Sequence, residues 1–160
     1  MSQIFQIAVI AIATLGTGAA TMTVMQGDIA DFAAPDGNWS AGNALDGKSF
    51  QVVGRDLKSG RVLNDEFVFR QGMFQSVDCQ VYCDFGWTEY ETKIEGGVIH
   101  FVARPACPDA PHQVVFYGWV EGDDVQFEGS WTTRRWYWTH QITFAGSGAP
   151  MPSSDASVSG

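Results

Sequence analysis

The chain has 160 residues, a one-domain length that argues against a two-domain catalytic architecture. Hydrophobic residues make up 45% and charged residues 17%, with six Trp, eleven Phe and four Tyr, so intrinsic disorder is excluded for the bulk of the chain. Nine Lys and Arg against eighteen Asp and Glu give a formal net charge of −9, which repels phosphate backbones and excludes nucleic acid as a partner.

Residues 4–25 carry no charge. The dense apolar run Ile4–Leu15 gives way to the small residues Gly16, Thr17, Gly18, Ala19 and Ala20. That order reads as an export signal over residues 1–20, with Gly18 and Ala20 before a cut near Thr21. A retained membrane anchor over residues 4–25 is the alternative, since that length suffices to span a bilayer. Either way the domain is exported, so a periplasmic or secreted location is expected, with membrane contact only through an uncleaved N-terminal segment. Residues 21–46 lack periodicity and contain the turn cluster Pro35-Asp36-Gly37, which marks an irregular lead-in. Residues 147–160, mostly Gly, Ala, Ser and Pro, are expected to be a disordered tail.

Over residues 47–146, β-rich runs alternate with turn residues at the spacing of an all-β sandwich or barrel. The runs are Lys48–Asp56, Val62–Arg70, Met73–Tyr82, Thr88–Ile94, Val98–Arg104, Gln113–Val120, Val125–Trp131 and Arg135–Phe144. In Val98–Arg104, Ile99, Phe101 and Ala103 alternate with His100, Val102 and Arg104 at the period of a strand. Eight sequential strands form a meander that removes its edges by closing, which predicts an eight-stranded antiparallel up-and-down β-barrel. A barrel of that size is filled by side chains or holds one small ligand.

Gly47-Lys48-Ser49-Phe50, Asp65-Glu66-Phe67-Val68-Phe69 with Gly72-Met73-Phe74, Cys79 followed by Phe85-Gly86 and Tyr90, Tyr117-Gly118-Trp119-Val120 with Gly122-Asp123, and Trp136-Tyr137-Trp138 before Phe144 and Gly146 form an ordered set. Over about residues 47–146 it resembles the small exported lipocalin-like (calycin) proteins of bacteria. The resemblance implies the same barrel and names no particular ligand.

Three Cys in an exported chain allow one disulfide. Cys83 and Cys107 both sit at loop entries, whereas Cys79 shares a strand face with Val77 and Val81, which predicts a Cys83–Cys107 bond and a buried Cys79 thiol. Cys79-x-x-x-Cys83 lacks a second ligand pair, and His100, His112 and His140 have no zinc spacing, so neither metal nor cofactor is expected. No nucleophile is poised on a base, so no catalytic residue is assigned and the chain is read as a non-enzyme. The carboxylates Asp65, Glu95, Glu121, Asp123 and Asp124 read as solvated turn residues.

Residues 131–140 exceed what a core requires. They hold three Trp, one Tyr, two Arg and a His. In the last run Trp136, Trp138, His140, Ile142 and Phe144 share the face assigned to the barrel interior, and Arg134 and Arg135 stand at its mouth, where a guanidinium binds an acidic head group. Trp119, Trp131, Arg134, Arg135, Trp136, Trp138 and His140 are therefore the candidate ligand residues. The expected function is non-catalytic binding of a small apolar or amphipathic molecule in the envelope. The alternative is a protein-interaction role, as inhibitor of an exported enzyme or accessory subunit of a membrane complex, with Phe32 and Trp39 of residues 22–46 as the contact arm for an envelope protein partner.

Overall fold

A computed structural model describes residues 34–152. The export or anchor segment, the lead-in up to residue 33 with Phe32, and residues 153–160 of the tail lie outside the described residues. The strands are β1 (Ser40–Ala41), β2 (Ser49–Asp56), β3 (Val62–Arg70), β4 (Met73–Ser76), β5 (Thr88–Glu95), β6 (Val98–Ala103), β7 (His112–Glu121), β8 (Asp124–Arg135) and β9 (Trp138–Pro150), with a 3-10 turn at Asp78–Val81. Each strand from β2 to β9 pairs antiparallel with the next, and β9 pairs back onto β2, so eight strands close in a barrel-like ring. The expected all-β meander is thus present and closed. β1 adds a short outer pairing beside β5.

Alternation builds the interior. β2 buries Phe50, Val52, Gly54 and Asp56 while the residues between them face water, and β7 buries Val114, Phe116, Gly118 and Val120 in the same way. Inward phenylalanines then fill the middle of the ring. Phe67 stands 4.8 Å from Phe127 and 5.2 Å from Phe116, and Phe69 stands 5.0 Å from Phe101, all with edge-on geometry.

Because strand direction alternates, the connections 57–61, 77–87, 104–111 and 136–137 lie at one end, called upper, and 71–72, 96–97 and 122–123 at the other. The lower hairpins are tight: Gln71-Gly72 and Gly96-Gly97 have positive φ at both positions, as two-residue primed turns require. The lower end is also plugged. Leu45 is fully buried and its N–H donates to Tyr90 Oη at 3.2 Å, while Tyr90 Oη donates to Asp46 at 2.9 Å. Asp46 in turn accepts from Gly72 N at 2.9 Å. Gly42 and Leu45, within the segment expected to be an irregular lead-in, are therefore buried against the ring.

Three other expectations change. Met73–Tyr82 is not one strand: β4 ends at Ser76 and the chain turns into the 3-10 segment, because Asp78 N finds the Asp65 carboxylate at 2.9 Å and Val77 N finds Glu66 O at 2.9 Å. The run starting at Arg135 is two strand ends and a turn, with Arg135 closing β8 and Trp138 opening β9. Ser147–Pro150 is not tail but strand, since β9 pairs Val52 with Gly148 and Gly54 with Gly146 on one side and Phe127 with Gly146 on the other.

The small residues of that segment are what closure needs. A β-carbon at Gly146 would collide with the Val53 carbonyl oxygen, lie 2.6 Å from Gly54 Cα and lie 2.7 Å from the Phe127 ring. Gly146→Val should therefore cost on the order of 3 kcal/mol in urea unfolding, while Ser147→Val, on the exposed outer face, should cost little. Equal small effects at both positions would place the segment outside the ring.

Candidate functional site

The phenylalanines do not fill the upper end completely. Above Phe67, Phe116 and Phe127 the ring holds a cavity of about 440 Å³, lined chiefly by Leu63, Asp65, Cys79, Tyr82, Trp131 and Ile142. Its walls come from three places. Asp65 and Leu63 are the inward positions of β3, one and two pleats above Phe67. Trp131 on β8 and Ile142 on β9 are directly paired. The 3-10 segment folds over the opening and contributes Cys79, Val81 and Tyr82.

Polar contacts hold that cover in place. Asp65 Oδ1 accepts from Glu66 N at 2.7 Å and Asp78 N at 2.9 Å, and Ser76 Oγ donates to Asp65 Oδ2. Gln80 donates to Ser76 O at 3.1 Å and accepts from Gly86 N at 2.9 Å. The Cys83–Cys107 disulfide, spanning 24 residues, joins the 77–87 and 104–111 connections, as the loop positions predicted. Trp131 is fixed by three rings, with Phe85 at 5.2 Å, His112 at 5.7 Å and Tyr82 at 5.8 Å. At the rim, Asp56 Oδ1 accepts from Lys58 N and Ser59 N at 2.8 and 3.0 Å, shaping the 57–61 turn.

The sequence-derived candidates divide. Trp131 lines the cavity, in reach of Ile142 and Phe144. Trp136, Tyr137 and Trp138 sit at the hairpin tip beyond the ring, and His140 is exposed with its ring 6.3 Å from Trp138. The face expected for Trp138 and His140 has the correct parity with Phe144, but the strands outrun the filled interior there. Trp119 points outward, 5.7 Å from Tyr117. Arg134 and Arg135 are exposed at the end of β8, with Arg134 N donating to Pro111 O at 2.9 Å. Trp39, the expected contact arm, lies edge-on to Tyr117 at 6.3 Å on the outer face.

Sequence reasoning missed Leu63, Asp65 and Tyr82. Asp65 is a correction, being an inward strand residue and not a solvated turn acid. Extending the alternation of Phe67 and Phe69 backward would have placed Leu63 and Asp65 inside, whereas Tyr82 depends on the 3-10 segment. Among the described residues, no group of three or more His, Cys, Asp or Glu is arranged to hold a metal. The histidines have ordinary partners: His100 Nδ1 lies 3.0 Å from Tyr117 Oη and His112 Nδ1 lies 2.9 Å from Thr133 Oγ1.

Burial pushes the free Cys79 thiol up to about 12, helped by the Asp65 and Asp78 charges, so thiolate is scarce at neutral pH. Burial likewise raises Asp65 above its ordinary 3.8, against the hydrogen bonds from Ser76, Asp78 and Glu66. Comparison with known protein families, with characterised proteins and with solved structures returns no match to this chain.

Two outcomes follow from these groups. In the folded protein Cys79 should resist alkylation near neutral pH and react on unfolding, with peptide maps linking Cys83 to Cys107; rapid native labelling of Cys79 would contradict its burial. For Asp65, ionisation is harder in the folded chain than in the unfolded one. Its contribution to stability is thus full below 3.8 and lost as pH rises through the folded value. Asp65→Asn should therefore gain stability relative to the parent chain as pH rises above 3.8. Parallel stability curves, or a relative loss, would show that the carboxylate is not penalised.

Proposed function

We propose that the chain is a non-catalytic binding protein of the cell envelope, lipocalin-like in plan, that holds one small apolar or amphipathic molecule at the upper end of its ring. The carrying observation is the cavity of about 440 Å³ between Leu63, Trp131 and Ile142, within the range of small-molecule sites. Its walls are mainly apolar, and its polar side chains include Arg61, Asn64, Asp65 and Asp78, near the 3-10 cover and the 57–61 turn. That arrangement suits a molecule with an apolar body and a hydrogen-bonding end. An envelope location is in keeping with the disulfide, which points to an oxidising compartment outside the cytoplasm. Among the described residues no helix is long and apolar enough to cross a membrane.

The site differs from the one read off the aromatic run. Trp131 remains in it, whereas Trp119, Trp136, Trp138 and His140 do not line it. An amphipathic fluorescent probe such as anilinonaphthalene sulfonate should bind the folded protein at one saturable site. Ile142→Trp, which fills the cavity with protein, should abolish that site, and Trp119→Ala on the outer face should leave it intact. Probe binding untouched by Ile142→Trp, or lost equally with Trp119→Ala, would overturn the reading.

A further inference from the structure

Apolar exposure is confined almost wholly to one end. Among the described residues, every large hydrophobic side chain left exposed, apart from Val53 and Ile94, belongs to an upper connection or to the strand end or start beside it. At the upper end Trp136 is 95%, Val81 83%, Tyr82 65% and Tyr137 61% exposed, while Ile94 at the lower end is 63% exposed. Trp136 and Tyr137 touch each other edge-on at 5.0 Å and form a convex tip, so folding gives no reason for their size.

Charge of both signs occurs at each end, but the β8–β9 hairpin is locally cationic. Arg55, Lys58, Arg61, Arg134 and Arg135 stand at the upper end, and residues 129–154 contain no Asp or Glu. Asp56, Asp78, Asp84 and Asp109 are also there, with Asp56 engaged by the Lys58 and Ser59 amides. Glu95, Glu121, Asp123 and Asp124 stand at the lower turns, where Lys48, Arg70 and Lys93 also lie, Lys93 paired with Glu95 at 2.8 Å. The net charge of −9 therefore conceals a locally cationic β8–β9 hairpin, where Arg134 and Arg135 have no acid within residues 129–154, beside an upper rim whose other cations are matched by acids.

We propose that this rim docks on the surface of an anionic lipid bilayer, with Trp136, Tyr137 and Trp138 at headgroup depth and Arg135 against lipid phosphates. Indole and phenol rings favour that depth because one edge is apolar and the other donates hydrogen bonds. Neighbouring guanidinium groups add attraction to an anionic leaflet. A convex aromatic tip flanked by cations fits a soft planar interface better than a shaped protein groove. The docking stands whether or not the cavity takes a ligand.

Hydrogen exchange read by peptide mass spectrometry tests it on the full chain. The apolar residues 4–25 are themselves able to hold the chain on a vesicle, so the informative readout is local protection. Vesicles of equimolar phosphatidylglycerol and phosphatidylcholine should slow exchange in residues 133–140 and 79–83, and pure phosphatidylcholine vesicles should not. Arg135→Gln should weaken this protection roughly fivefold in lipid titration. Trp136→Ser with Tyr137→Ser, both changes at exposed positions, should remove it. Protection restricted to residues 4–25, equal protection by neutral vesicles, or protection unchanged in the Trp136 and Tyr137 variant would overturn the proposal.

Discussion

The structure depends on the pairing of β2 with β9. Without it, the meander would be an open sheet with two exposed edges and no enclosed interior. Seven consecutive residue pairs, from Phe50 with Pro150 to Asp56 with Phe144, form that closure. Glycine makes it possible. At Gly146 and Gly148 the inward face of β9 has no side chains, and Phe127 and Val52 occupy the space, within 2.7 and 2.6 Å of where a β-carbon would stand. The same device recurs at Gly118, where the Phe101 ring occupies the missing side chain's place. Large rings therefore fill a narrow interior because glycines oppose them.

Closure creates two unlike ends. Below, the lead-in plugs the ring through Leu45, and the Tyr90 hydroxyl ties the Leu45 amide to the Asp46 carboxylate. Burial and the bond to Asp46 raise the Tyr90 hydroxyl far above its ordinary value, so this link stays protonated under physiological conditions. Above, no equivalent plug exists among the described residues. A 3-10 segment and two disulfide-linked loops cover the opening, and the space beneath them is the cavity. Covers of this type carry fewer backbone ladders than the strands below, so this end opens more readily than the other.

Strands with strict alternation were legible in the sequence. β3 matches its expected limits, and β2, β5, β6 and β7 differ by a residue or so at their ends, because period two survives wherever one face is apolar. The cysteine pairing was legible because two of the three Cys lay at loop entries that a meander brings to one end. Composition misled at Ser147–Pro150, where small residues looked like tail but form part of the closing strand. Periodicity misled at Val77–Val81, where alternating valines mimic a strand while side-chain acceptors draw the backbone into a turn. Parity put Trp138 and His140 on the face of Phe144, but both are exposed, because parity carries no information on how far a hairpin projects past its ring. Trp131 was found for that reason and the rest of the site was not. It is assembled from β3, β8, β9 and a loop with no common sequence signature.

The central claim is that the closed ring is solid below and hollow above. Crystals of the protein under xenon pressure test it directly, since xenon enters apolar cavities and leaves filled cores empty. The account predicts xenon density between Leu63, Trp131 and Ile142, with none among Phe50, Phe69, Phe101 and Tyr90. Absence of xenon at the upper site, with the Trp131 ring or the 3-10 segment collapsed into that space, would contradict it.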